Sequence, residues 1–159
     1  MSGKNILENL KEIFLKNGHD EVLLLEAGEE GISTPVLSVL LRGFGSVSNL
    51  AEGEFFFAER KDAKPDYFVS RIRILPEVDP KFVSILCLKA GLVNPDLYAG
   101  CFEYDPLEGD FSYVLKIPLV SGQSEKELTE IADSCIATAL SVSGEYAGDF
   151  IAAGKTGML

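Results

Sequence analysis

The sequence predicts a single α+β domain in which helices flank an antiparallel sheet. Two observations carry this: paired runs of alternating residues between Leu92 and Leu119, and a long helically spaced apolar stripe after them. Tyr98, Gly100, Phe102 and Tyr104 alternate with Ala99, Cys101, Glu103 and Asp105, and Phe111, Tyr113, Leu115, Ile117 and Leu119 with Ser112, Val114, Lys116 and Pro118. Period two means that one face of each strand is buried. Between the runs, Asp105-Pro106-Leu107-Glu108-Gly109 supplies a turn-capping carboxylate, a fixed φ and a glycine that accepts φ > 0. The segment therefore reads as a hairpin.

At the amino terminus, Ile6, Leu7, Leu10, Ile13 and Phe14 fall on one helical face between Asn5 and Lys16, and Asn17-Gly18 supplies a stop. Glu21 to Ala27 holds the short run Val22-Leu23-Leu24-Leu25, which suits a helix or a buried strand; its length and the Gly28-Glu29-Glu30-Gly31 break favour the strand. Pro35 to Phe44, Glu54 to Arg60 and Tyr67 to Leu75 are further strands separated by turn formers, which makes a four-strand meander. Pro80 suits the first turn of a short middle helix with Asp79 as its N-cap, and Gly91 is the expected end. That helix is nearly apolar all round, so it predicts burial inside the domain or under a partner.

Ser124-Glu125-Lys126-Glu127 forms a capping box, and Leu128, Ile131, Cys135, Ala139, Val142, Tyr146, Phe150 and Ala153 continue as one stripe of a long final helix. Gly144 and Gly148 within it signal either a bend or a close helix contact. Residues 154–159 are expected to fray.

With 159 residues, of which 47% are hydrophobic, the chain suits one core spanning residues 1–159. A formal net charge of −11 opposes binding to phosphate backbones and anionic membranes, so neither nucleic acid nor membrane is an expected partner. Cys87, Cys101 and Cys135 are odd in number and lie in apolar runs, which fits free thiols in a reducing compartment. The expected location is the cytoplasm. No apolar run approaches the roughly 18 residues that span a bilayer.

The chain resembles the YbjN-like family of bacterial sensory-transduction regulators, whose fold is shared with the type III secretion chaperones. The residues that carry the resemblance are Asn94, Gly100-Cys101-Phe102-Glu103-Tyr104-Asp105, Gly109, Phe111 through Leu119 with Ile117-Pro118-Leu119 at its end, and Ser124 to Ala139. The resemblance implies a small α+β domain, commonly dimeric, that binds a protein segment or acts in regulation. It brings no catalytic residues. One extra strand between Glu21 and Leu75 departs from the family pattern.

Candidate chemistry is sparse. Gly154-Lys155-Thr156 imitates the end of a phosphate-binding loop, but Asp149 stands where that loop needs a glycine. His19 is the sole histidine and has no nucleophile motif beside it, so a helix-terminus role is expected and no metal or cofactor is. Arg42, Arg60, Arg71 and Arg73 all fall in the meander. They either gather to hold an anion or pair across strands with acids such as Glu54 and Glu59; pairing is the favoured outcome. Phe55-Phe56-Phe57 puts rings on both faces of one strand, so one face needs a cover. The expectation is a non-enzymatic, homodimeric binding domain that recognises a protein segment near Phe55, Phe57, Val69, Phe82 and Leu86. The alternative is a sensor of anionic small molecules using the four arginines.

Overall fold

A computed structural model describes residues 3–28, 33–45, 49–59 and 65–159. The order of elements is α1 (Gly3–Lys16), β1 (Val22–Leu25), β2 (Val36–Phe44), β3 (Asn49–Glu59), β4 (Pro65–Leu75), α2 (Val83–Val93), β5 (Cys101–Asp105), β6 (Asp110–Pro118) and α3 (Glu125–Thr156). The six strands form one antiparallel sheet in the order β1-β2-β3-β4-β6-β5. The four-strand meander and the terminal hairpin are both present, and the hairpin joins the meander through its second strand.

Strand register divides the residues between two faces. Leu37, Phe55, Ser70 and Leu115 lie side by side across β2, β3, β4 and β6, as do Val39, Gly53, Ile72 and Tyr113. This first face is the core. Phe14 of α1 stacks on Phe55 with ring centroids 5.5 Å apart, and Phe150 of α3 packs on Phe102 and Phe111 at 4.4 and 4.8 Å. Each side chain of this size, taken fully out of water, contributes about 1.5–3 kcal/mol, so the two helices clamp the sheet from one side. The second face carries the alternate residues, among them Ser38, Leu40, Glu52, Glu54, Phe56, Val69, Arg71, Arg73, Ser112 and Val114.

Local signals in the sequence explain the helix ends. Ser124 and Glu127 satisfy each other's backbone N–H groups in a complete capping box. Glu127, held by the Ser124 side chain first and its backbone N–H second, titrates below its ordinary value. Pro80 opens a single 3-10 turn, with the Asp79 side chain accepting from the Lys81 N–H, before α2 begins at Val83. α2 runs through Gly91 to Val93, because a helical glycine needs no special conformation there and the following Asn94–Asp96 turn continues the winding.

One expectation, that residues 154–159 fray, is revised at the carboxyl terminus. Residues 154–156 are helical, and Gly157 closes α3 in the left-handed conformation at φ 72°, its N–H bonded to the Ala153 carbonyl. The reason is packing: Gly154 faces Leu75 and Gly157 faces the Phe82 ring, both so closely that a Cβ would approach within 3.0 Å or less. Gly154-Lys155-Thr156 is thus a helix end. Gly144 is also a contact position: α3 is continuous through it, and a Cβ on Gly45 would lie 3.1 Å from the Gly144 carbonyl oxygen and from Ala147. The approach is by Gly45 of the turn after β2 and not by another helix, and a Cβ on Gly144 itself would meet only the Phe44 ring at an ordinary 3.8 Å.

Candidate functional site

The second face of the sheet gathers charge at its centre. Arg71 and Arg73 are adjacent outward positions of β4, flanked by Glu54 and Glu52 of β3 and by Val114 and Ser112 of β6. Arg71 donates to both oxygens of Asp110 at 2.9 and 3.0 Å and to Asp105 at 3.4 Å. Arg73 donates through Nε to Asp110 at 2.6 Å, through Nη1 to Glu52 at 2.8 Å and through Nη2 to Glu54 at 3.0 Å. Ser38 donates to the other oxygen of Glu52 at 2.9 Å. Asp110 is only 1% exposed, and the two guanidiniums between them donate to both of its oxygens.

Electrostatics follow from burial. Desolvation pushes the Glu54 carboxyl up despite Arg73 and Arg71 beside it. Burial alone would lower Arg73, but Glu54, Asp110 and Glu52 outweigh it and hold the guanidinium above its ordinary value. Asp105 is held low, first by the Leu107 N–H, which it also uses to cap the hairpin turn. Four carboxylates thus surround two guanidiniums. An anionic ligand would meet excess negative charge and donors that already have acceptors.

This places the four predicted arginines. Arg71 and Arg73 come together. Arg42 lies apart on β2, bonded to Glu21 and within 3.8 Å of Asp20, and Arg60 lies outside the described residues. The alternative of a four-arginine anion site is not assembled; Arg71 and Arg73 instead pair across strands with acids, the outcome the sequence favours. Asp110 and Glu52 went unrecognised as partners. Alternation within the hairpin puts Asp110 in line with Ser112, but nothing local says that this strand lies against β4.

The expected partner residues also divide. Phe55 and Phe57 are buried on the core face, against Phe14 and Phe68, and Leu86 is buried on the inner side of α2. They are unavailable to a partner while the helices stay docked, which corrects their assignment to a recognition surface. Val69 lies on the second face but is 4% exposed, screened by its neighbours on the sheet. Phe82 is half-buried against Gly157.

Exposed apolar residues concentrate elsewhere. α2 packs on α3 and β5 through Leu86 and Ala90, while Cys87, Leu88 and Leu92 are exposed. Leu23, Leu50 and Tyr67 are exposed on the second face of the sheet. Among the described residues, no helix is long and apolar enough to cross a membrane, and no group of three or more His, Cys, Asp or Glu is placed to hold a metal ion.

No known protein family matches the chain, and no curated protein matches it. Among solved structures it is similar to a chain in the crystal structure of the ExsC-ExsE complex, with a TM-score of 0.49 and 13% identity, over 93% of this chain and 96% of that one. A likeness at that level says nothing about what this chain binds.

Proposed function

We propose that the chain is a non-catalytic protein-binding domain of the regulatory or chaperone kind, as its YbjN-like and type III secretion chaperone-like resemblance implies. It works in the cytoplasm as a homodimer that recognises a protein segment. One observation supports this most: α2 has a single charged residue, Lys89, yet buries only Leu86 and Ala90 and leaves Leu88 52% and Leu92 63% exposed. A helix that is apolar on both sides gains from a second cover, and a second copy of the same helix offers matching surface. The net charge of −11 favours basic residues in the recognised segment.

Light scattering over a concentration series, with hydrogen exchange on α2, tests the reading. The expected result is a dimer whose α2 amides are protected and which dissociates when Leu88→Glu and Leu92→Glu are combined. A monomer at every concentration, with α2 exchanging equally in wild type and variant, overturns it.

A further inference from the structure

A cavity of about 170 Å³ lies between α1 and α3, lined by Leu10, Ile13, Phe14, Ile136, Ala137 and Leu140 with Asn17, His19 and Asp133. It is smaller than the acidic groove of about 400 Å³ formed by Ile117, Gln123, Glu127, Glu130, Ile131 and Ser134. An apolar cavity of roughly 150 Å³ accepts a benzene-sized guest. Ile13, which the spacing of α1 puts on its buried face, is instead 39% exposed at this opening.

The rim is polar. His19 follows the end of α1, its backbone N–H bonded to the Phe14 carbonyl and its imidazole edge-on to the Phe14 ring at 5.3 Å. Among the described residues, the side chains of Asn17, His19 and Asp133 have no hydrogen-bond partner. No lysine or arginine lines the cavity. The walls therefore suit an apolar body, and the rim offers a carboxylate, an amide and an imidazole to a donor at its end. A ligand carboxylate there would face Asp133 unopposed, whereas an ammonium would be paired.

We infer that the cleft between α1 and α3 is a binding site for a small organic cation: a benzene-sized apolar group, seated among Leu10, Ile13, Phe14, Ile136 and Leu140, that carries a primary amine to Asp133. Asn17 and His19 accept further N–H donors of the amine. The net charge of −11 raises the local concentration of such a cation without specifying the site.

Calorimetry on the full chain with 2-phenylethylamine, 2-phenylethanol and phenylacetate tests this. The amine is expected to bind best and phenylacetate worst. Asp133→Asn weakens the amine by about tenfold and leaves the alcohol unchanged, since one charged partner is lost. Ala137→Leu, at an exposed helical position that tolerates the change, fills the cleft and abolishes both. Glu103→Gln, an exposed acid on β5, controls for general attraction and leaves affinity unchanged. Failure of the amine to bind, equal binding of phenylacetate, survival of binding in Ala137→Leu, or equal weakening by Glu103→Gln each overturns the inference.

Discussion

Asn94 holds both backbone polar groups of Phe102, donating through Nδ2 to its carbonyl oxygen over 3.0 Å and accepting its N–H through Oδ1 over 2.8 Å. β5 is an edge strand, and here a side-chain amide takes the place that a neighbouring strand would occupy. Asn94→Ala leaves a donor and an acceptor without partners at the sheet edge. The expected cost is about 2–3 kcal/mol in urea unfolding, with loss of exchange protection at the Phe102 amide and increased aggregation through the freed edge. Protection unchanged in the variant would show that the bond is dispensable.

Gly100 precedes β5 at φ 68°, and a Cβ there would lie 2.3 Å from the Tyr113 hydroxyl oxygen and 2.8 Å from the Val114 carbonyl oxygen. That hydroxyl donates to the Ala99 carbonyl at 2.6 Å, and burial pushes its titration up to about 12. Gly100→Ala is expected to destabilise by at least about 3 kcal/mol, from positive φ and overlap together. Tyr113→Phe alone costs about 1 kcal/mol. In combination the costs are less than additive, because removing the hydroxyl clears the nearest obstacle while the ring Cζ at 2.5 Å and the Val114 carbonyl remain. Strict additivity in the double-mutant cycle would rule out the contact.

Asp110 is the keystone of the charge cluster because it alone is fully buried and touches both arginines. Asp110→Ala leaves two guanidiniums short of a buried partner and is expected to cost about 3–5 kcal/mol. Glu52→Ala, whose carboxylate is 38% exposed, costs under about 1 kcal/mol. Unfolding in low and high salt separates the two: the Asp110 effect persists in 1 M salt, where exposed pairs are screened within roughly 3 Å. An Asp110→Ala cost that vanished in salt would place the cluster in water.

What could be read from the sequence is what neighbours in the chain decide. The Ser124–Glu127 box, the turn from Asp105 to Gly109 and the alternation of Phe111 through Leu119 rest on spacings of a few residues, and they fix element type. The face that each strand turns to the helices depends on distant contacts. Alternation of Phe55, Phe56 and Phe57 predicts rings on both faces but not that Phe14 stacks on Phe55 while Phe57 packs edge-on against Phe68. Likewise, Arg71 and Asp110 stand 39 residues apart, and only the β4–β6 pairing brings them together.

Glu54 makes stability depend on pH in a direction opposite to the surface acids. Its folded pKa is raised above the ordinary 4.5, so the folded chain binds more protons than the unfolded chain just above that value. Its contribution to stability therefore falls as pH rises through that window. Asp79, Asp105 and Glu127 are held low and act the other way, losing their contribution on acidification. They are common to wild type and Glu54→Gln, so the difference isolates Glu54. Stability of the variant minus that of wild type is expected to increase from pH 4 to 7 in urea unfolding; a flat or falling difference would mean that burial of Glu54 is not the governing effect.

The three thiols report on separate surfaces. Cys87 is exposed on α2; Cys101 is partly buried, and desolvation raises its thiol; Cys135 is buried, accepts from the Ser70 hydroxyl at 3.3 Å and is also raised by burial. Only thiolate reacts with a disulfide reagent, so burial and a raised pKa slow the reaction together. The dilute native chain is expected to react first at Cys87, then at Cys101, and at Cys135 only after denaturant is added; Cys87→Ser removes the fast phase. If α2 also forms the dimer contact, the fast phase slows as protein concentration rises and recovers in the Leu88→Glu, Leu92→Glu variant. Equal rates at Cys87 and Cys135 in the native chain would contradict the packing of α3 on the sheet, whereas a fast phase independent of concentration would count only against the dimer.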